Sequence, residues 1–229
     1  MQYQKYDYLE YPKSLPKDDY WGQVRRTING KPVDEAQIQM IVDAIQSGLE
    51  LDTSDKLLDI ACGNGALSSR LYHFCENLHG IDFSPYLINI AKTRFQIENK
   101  STFALADAAS YVQTETNFTR FNKALCYGSF SYFSKDDGLV ILNNLQKKFK
   151  KIEILFIGNL PDRDKAHLFY PSEKDYSQEL GNHQSQIGIW RSEEEFAELA
   201  ESAGWRCVSR KMPTDFYGSY YRYDAILYR

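Results

Sequence analysis

Apolar residues along the chain recur with two different spacings, one typical of amphipathic helices and one typical of buried strands. Between Ile38 and Leu49 they are three or four residues apart, which predicts a helix that begins after Asp34. Short apolar runs without this spacing predict strands at 56–61, 78–82, 102–106, 123–127, 152–157, 205–211 and 220–228. Further helices are predicted at 66–75, 85–97, 136–149 and 192–204.

Strands and helices alternate over most of the chain, which is the pattern of an α/β fold built on a parallel sheet. The last two predicted strands follow each other with only a long connection between them, so we expect them to be antiparallel. The sequence therefore predicts one α/β domain over residues 34–229.

In two segments the apolar residues have neither the helical nor the strand spacing. Residues 1–33 are polar and aromatic and are interrupted by proline and glycine, so we expect an N-terminal arm or lid. Residues 159–190 form a stretch too long for an ordinary connection, and we expect a functional loop or a lid there.

The composition of the chain disfavours several classes of protein. The 27 Lys and Arg residues against 31 Asp and Glu residues give a net charge of −4, which makes a nucleic-acid-wrapping protein unlikely. The four cysteines form no C-x-x-C pair, and no apolar leader opens the chain, so we expect a cytoplasmic protein. No apolar run is long enough to cross a membrane, and no spacing of His, Cys and acids indicates a metal site.

A glycine turn carries the clearest chemical signal. The segment 57–67 reads LLDIACGNGAL, an apolar strand that leads through Gly63 and Gly65 into a helix. A dinucleotide-binding turn would have a third glycine where this chain has Ser68, and Asp59 would repel a pyrophosphate. These two residues disfavour a nicotinamide oxidoreductase, and the acid indicates a ligand with a cationic group and no phosphates.

This motif resembles that of the class I S-adenosylmethionine-dependent methyltransferases, and the resemblance covers residues 34–229. It implies a Rossmann-like, seven-stranded mixed sheet of order 3-2-1-4-5-7-6, with an antiparallel seventh strand and helices on both faces. It also implies that Asp82 binds the ribose hydroxyls, that Phe83 covers the adenine and that Asp107 accepts from the adenine amino group. The implied cofactor is S-adenosylmethionine, with S-adenosylhomocysteine as product. The cofactor-binding residues predicted in this way are Asp59, Ala61, Cys62, Gly63, Asn64, Gly65, Asp82, Phe83, Asp107, Ala108, Tyr127 and Gly128.

The acceptor side has weaker signals. The segment after the fifth strand should lie at the ligand-binding edge of the sheet. There His167 could take a proton from an acceptor hydroxyl, with Asp162 or Asp164 orienting it or acting instead, although a solvated charge run is the plainer interpretation. The predicted substrate-binding residues are Tyr20, Trp21, Arg25, Arg26, Asn159, Tyr217 and Tyr221.

The expected acceptor is a small polar metabolite, such as a sugar or a phosphorylated precursor of a surface polysaccharide. The arm at 21–32 is similar to that of methyltransferases of bacterial surface-polysaccharide pathways. Methylation of tRNA or protein remains an alternative, since residues 205–229 carry five Lys and Arg against two Asp. A cofactor-binding protein without turnover is another, because binding and chemistry use different residues. The sequence predicts no oligomeric state.

Overall fold

A computed structural model describes residues 7–173 and 175–229. Its centre is a seven-stranded sheet, whose strands we number β1 to β7 in chain order. The strands are β1 (Lys56–Ile60), β2 (Asn77–Asp82), β3 (Ser101–Leu105), β4 (Lys123–Tyr127), β5 (Ile154–Pro161), β6 (Arg206–Lys211) and β7 (Arg222–Tyr228).

The strand order is β3-β2-β1-β4-β5-β7-β6. Strands β1 to β5 pair in parallel, and β7 is antiparallel to both β5 and β6. The predicted order and the antiparallel seventh strand are therefore confirmed. A separate two-stranded ribbon joins 27–28 to 31–32 within the N-terminal arm.

The α-helices are α1 (Asp7–Glu10), α2 (Tyr20–Gln23), α3 (Glu35–Leu49), α4 (Ala66–Arg70), α5 (Pro85–Ile90), α6 (Ala108–Thr114), α7 (Lys135–Lys147), α8 (Ala166–Phe169), α9 (Ser177–Leu180) and α10 (Glu193–Ser202). The prediction of helices on both faces of the sheet is confirmed by two apolar clusters. Helices α6, α7 and α10 contribute to one cluster, and α3, α4 and α5 to the other. Successive residues of β5 alternate between them, since Leu155 packs in the first and Phe156 in the second.

Side-chain caps account for several helix starts. Ser192 caps α10 in a reciprocal capping box with Glu195, and the Ser-x-x-Glu spacing of the two residues is typical of this motif. Asp34 accepts from the backbone N–H of Gln37 at 3.0 Å, but the Gln37 side chain donates to the Asp215 carbonyl instead of returning to Asp34. Asp34 and Gln37 have the spacing of a capping box, but the box is only half formed, because a tertiary contact takes the Gln37 side chain.

Two helices are shorter than predicted. The helix predicted at 66–75 ends at Arg70 and is followed by a 3-10 turn. The helix predicted at 85–97 leaves α geometry after Ile90 and continues as a π-turn over Ala91–Phe95. The apolar spacing is retained in both places, so the pattern alone does not distinguish these geometries.

Strand β5 is longer than predicted and includes a residue that we had placed in a loop. The predicted strand stopped at Ile157, but pairing with β7 resumes at Leu160 after a register shift. Asn159 lies inside that irregularity with a φ of 66°. The glycine, asparagine and proline that resemble a loop in sequence here accommodate a bulge at the end of a strand.

The aperiodic stretch 159–190 is also more ordered than its pattern indicated. It contains α8 and α9, and a small apolar cluster forms around Trp190. The cluster consists of Ala166, Tyr170, Ile187, Trp190 and Tyr221. Contacts between rings in separate short segments hold this layer, and such contacts leave no helical or strand period.

Candidate cofactor and acceptor site

The glycine turn follows β1 at the carboxyl edge of the sheet. Ala61, Gly63 and Gly65 all have positive φ, at 59°, 58° and 78°. A Cβ atom on Gly65 would lie 3.0 Å from both Ala91 Cβ and Phe103 Cζ. Glycine is therefore required there by both conformation and space, and the turn is held close to β3 and the end of α5.

Asp82 connects this turn to the end of β2. Its two carboxylate oxygens accept from the backbone N–H groups of Gly63 and Ser84, each at 2.9 Å. The side chain is 6% exposed, and burial raises its pKa to about 6, although these hydrogen bonds act in the opposite direction. A buried carboxylate fixed beside a glycine turn is suited to accept hydrogen bonds from ligand hydroxyl groups.

Asp59 lies within β1 and is equally buried. Ser68 donates its hydroxyl to Asp59 Oδ2 at 2.6 Å, which ties the strand to α4. Burial raises the pKa of Asp59 to about 7, while Ser68 and the guanidinium of Arg26 partly oppose that shift. The sequence identified Ser68 only as the missing third glycine, and the structure gives it this positive role.

Phe83, Asp107 and Ala108 follow β2 and β3 at the same edge. The Ala106 N–H donates to the Asp82 carbonyl at 2.9 Å, so the ends of these two strands are held together. Asp107 begins α6 by accepting from the Ser110 N–H at 3.0 Å, and its side chain is exposed. The adenine contact predicted for Asp107 stays a prediction.

Tyr127 and Gly128 end β4 on the other side of β1. The Gly128 N–H donates to the Gly158 carbonyl at 2.9 Å, and Gly128 has a φ of 73°. The ring of Tyr127 covers Gly158, where a Cβ would lie only 2.3 Å from the ring. Arg26 places its guanidinium carbon 5.4 Å from the centre of the same ring, which brings the arm to this end of the site.

Cys62 packs against the sheet. Its sulfur lies 2.8 Å from the position that a Cβ on Gly80 would occupy. Burial raises the pKa of this thiol well above its usual value, so it is held in the protonated form. These contacts favour a packing role over a nucleophilic one.

Comparison with known proteins is consistent with this geometry. A family model described as a methyltransferase domain matches residues 57–151. This segment contains the glycine turn, Asp59 and Asp82, and it is similar to methyltransferase domains over that part of the chain.

Two uncharacterized methyltransferases of Schizosaccharomyces pombe are similar in sequence. One is 28% identical over 113 residues, which cover 45% of this chain and 38% of the relative. The other is 33% identical over 75 residues, which cover 33% of this chain and 27% of the relative. The chain thus matches only about a third of the length of these curated methyltransferases.

Magnesium protoporphyrin IX methyltransferase from Synechocystis PCC 6803, solved with S-adenosylhomocysteine, has the same fold. Its TM-score to this chain is 0.62 at 17% sequence identity, and the match covers 91% of each chain. This likeness concerns the fold alone.

The N-terminal arm lies directly on the glycine turn. Asn64 donates its side-chain amide to the Tyr20 carbonyl at 2.8 Å and to Gln23 Oε1 at 3.0 Å. Val24 Cγ1 lies 2.9 Å from the position of a Cβ on Gly63. The sequence analysis did not identify Gln23. This residue is fully buried, but a polar side chain is not expected to be buried from sequence alone.

Arg222 is the other residue that sequence reasoning missed. It is the first residue of β7, is 9% exposed and donates from Nη1 to the Asn159 carbonyl at 2.6 Å. Although burial by itself lowers the pKa of the guanidinium, nearby tyrosines including Tyr221 and Tyr132 raise it overall. The one sequence signal was its position directly after Tyr220 and Tyr221, of which Tyr221 is a predicted substrate-binding residue.

The structure places the two residues predicted to be catalytic in different surroundings. Asp162 is buried, caps the following 3-10 turn by accepting from the Asp164 N–H at 3.1 Å, and pairs with Lys165 at 2.7 Å. His167 is exposed on α8. The structure therefore gives Asp162 a role within its own turn, and the proton transfer predicted for this pair stays a prediction.

The remaining predicted substrate residues divide between the arm and the β6–β7 connection. Tyr20 packs edge-on against Phe95 at 4.9 Å between ring centres, and Trp21 contacts Arg26. Tyr217 packs against the apolar cluster that includes α3, and its backbone N–H donates to Gln37 Oε1 at 2.9 Å. Across the described ranges 7–173 and 175–229, no helix has the length and apolar character needed to cross a membrane. The same ranges hold no cluster of three His, Cys, Asp or Glu residues that could bind a metal.

Proposed function

We propose that this chain transfers the methyl group of S-adenosylmethionine to a small polar acceptor and releases S-adenosylhomocysteine. The observation that carries the proposal is Asp82, a buried carboxylate at the end of β2 that is hydrogen-bonded to the glycine turn. The residues around the glycine turn fit this cofactor. Acids, and not phosphate-binding lysines, surround the turn, as a ligand with a cationic amino group and ribose hydroxyls requires.

Each end of the cofactor has matching residues. Asp82 would accept from the ribose hydroxyls, with Phe83 and Asp107 beside the adenine. Asp59 would attract the amino group of the methionine portion, next to Tyr127. When bound, S-adenosylmethionine supplies a methyl group on a sulfonium that is already activated for transfer.

The contribution of the protein is therefore to align the acceptor and to exclude water. The arm supports this proposal, because Gln23 and Val24 already cover the glycine turn. A general base is required only if the acceptor is a hydroxyl, and Asp162 and His167 are our proposed residues for that case. We propose a sugar or a phosphorylated surface-polysaccharide precursor as the acceptor class.

The test is calorimetric titration of the protein with S-adenosylmethionine and with S-adenosylhomocysteine. We compare wild type with Asp82→Asn, and use Asp43→Asn on the exposed face of α3 as the matched control. Loss of a charge-assisted hydrogen bond costs about 1.5–3 kcal/mol, so we expect Asp82→Asn to bind roughly 10- to 100-fold more weakly. The control should bind like wild type.

Absence of binding by folded wild-type protein would overturn the proposal. If binding is observed, formation of S-adenosylhomocysteine is measured in parallel with small polar acceptors and with bulk tRNA. Turnover with tRNA alone would replace the small-molecule acceptor, and binding without turnover on either would favour a non-catalytic cofactor-binding protein.

A further inference from the structure

Arg222 is a buried cation that donates to an uncharged group. Its Nη1 donates to the neutral carbonyl of Asn159, at 2.6 Å. No carboxylate of the part of the chain that the structure describes lies within ion-pair distance of its guanidinium. Because a buried charge is expensive unless it is paired, this arrangement is incomplete without an anion.

The groups around Arg222 are hydrogen-bond donors. Tyr221 has its ring centre 4.7 Å from the guanidinium carbon, and Tyr132 and Tyr217 lie near enough to affect its charge. Burial raises the pKa of Tyr132 and of Tyr217, so their hydroxyl groups stay protonated at neutral pH. Neutral phenols next to a guanidinium can bind an oxyanion but cannot neutralise the cation.

Two more arginines add to the positive charge on this side of the site. The guanidinium of Arg25 lies over the rings of Tyr11, at 3.9 Å, and Tyr8, at 5.6 Å. Arg26 approaches Tyr127. The charge of this region is therefore opposite to that of the acidic cofactor turn formed by Asp59 and Asp82.

The topology puts Arg222 next to the methionine end of the cofactor site. It pairs with Pro161 at the end of β5, and its carbonyl partner Asn159 adjoins Gly128 at the end of β4. Asn159 Oδ1 is buried and has no hydrogen-bond partner among the described residues. The cation that could bind an anionic group therefore lies beside an acceptor oxygen that a hydroxyl group of the same ligand could fill, at the edge of the sheet where the acceptor must approach the methyl group.

We propose that Arg222 is a specificity-determining residue that binds a carboxylate or phosphate group of the methyl acceptor. This inference rests on the proposed function and names the chemical class of its acceptor. An arginine suits this role, because its planar guanidinium can present two parallel N–H donors to one oxyanion while another nitrogen stays on the Asn159 carbonyl.

The experiment measures anion binding to the full chain saturated with S-adenosylhomocysteine. Inorganic phosphate and acetate are titrated separately, which distinguishes the two sources of the oxyanion, and glycerol serves as a neutral probe. Calorimetry gives the affinity, and the midpoint of thermal unfolding gives the stabilisation that a bound anion must produce. We expect one of the two anions to bind and to raise the midpoint, and glycerol to do neither.

Three variants test whether anion affinity depends on the charge of Arg222 or on its planar shape. Arg222→Gln should weaken anion binding at least about 10-fold, and Arg222→Lys should retain part of the affinity because it keeps the charge without the planar fork. Arg206→Gln is the matched control, since Arg206 is exposed on the neighbouring strand and its guanidinium lies over Tyr228 at the other end of the sheet. It should bind anions as wild type does.

The outcomes distinguish this inference from the proposed function. If wild type binds S-adenosylhomocysteine but neither anion, the inference is wrong and the proposed function stands. Equal anion binding by wild type and a folded Arg222→Gln protein would mean an adventitious ion only, and would also overturn it. If Arg222→Gln does not fold, Arg222→Lys decides, because unchanged affinity for both anions in that variant contradicts a bidentate contact.

Discussion

At the scale of single residues, burial at the carboxyl edge of the sheet disfavours the charged forms of Asp59 and Asp82. Burial raises the pKa of Asp59 to about 7 and that of Asp82 to about 6, against an ordinary value of 3.8. Both groups therefore bind protons in the folded state at a pH at which they are ionised in the unfolded chain. A cationic ligand next to Asp59 would reverse that preference.

We expect the ligand-free protein to lose stability as the pH rises from about 4 to about 7. In this window the folded state holds protons that the unfolded state has released, and each such proton lowers the free energy of unfolding by about 1.4 kcal/mol per pH unit. Urea unfolding at a series of pH values measures this slope. Asp59→Asn removes the larger pKa shift and should flatten it, whereas Asp43→Asn, at an exposed acid, should leave it unchanged.

The same linkage predicts how the pH affects S-adenosylhomocysteine binding. Its amino group favours the ionised form of Asp59, so binding releases a proton and tightens as the pH rises from about 5 to about 7. Affinity that is independent of pH in wild type would contradict the placement of the amino group beside Asp59.

Sequence predicted some site residues well and missed others for a physical reason. Asp59 lies near the end of β1 and Asp82 ends β2, and the glycine turn between them makes the motif recognisable, so their positions were predictable. Arg222 has no such signal, because an arginine normally lies at the surface and only the three-dimensional structure reveals that this one is buried. Its carbonyl partner Asn159 was expected in a loop, since the bulge in β5 depends on pairing with β7, more than 60 positions further along the chain.

At the scale of elements, alternation of strand and helix patterns predicted a parallel α/β sheet, and the family resemblance implied the strand order. Neither predicted where close packing alters a helix. The π-turn after Ile90 is one case. Gly48 in α3 is another, because its position in an apolar spacing gives no hint that a ring lies against it. A Cβ on Gly48 would lie 2.5 Å from Phe156 Cδ2 of β5.

We therefore expect Gly48→Ala to destabilise the protein, although alanine is the better helix former. The helix propensity gained is about 1 kcal/mol, whereas forcing Phe156 and α3 apart in a packed core costs about 1–3 kcal/mol. The net loss should be up to about 2 kcal/mol in urea unfolding. Gln39→Ala, at an exposed position of the same helix, should change stability by no more than about 0.5 kcal/mol. A Gly48→Ala protein more stable than wild type would mean that α3 shifts freely on the sheet.

At the scale of the whole molecule, the arm and the sheet edge enclose the cofactor turn from opposite sides. The arm binds the turn through the side chain of Asn64, and Gln23 also donates to the Pro16 carbonyl at 2.8 Å. Because the arm covers Gly63, cofactor exchange should require the arm to move. The rate of exchange then reports how firmly the arm is held.

We expect Gln23→Ala to accelerate the dissociation of S-adenosylhomocysteine about 5- to 30-fold, since it removes two hydrogen bonds of about 1 kcal/mol each. Stopped-flow tryptophan fluorescence can follow this, because Trp21 lies in the arm while Trp190 and Trp205 are buried elsewhere. Gln113→Ala on α6 is the control, as that side chain is exposed. If the arm gates exchange, Gln23→Ala should also speed association, so affinity should change less than either rate. A dissociation rate equal to that of wild type in the folded variant would mean that the cofactor enters without displacing the arm.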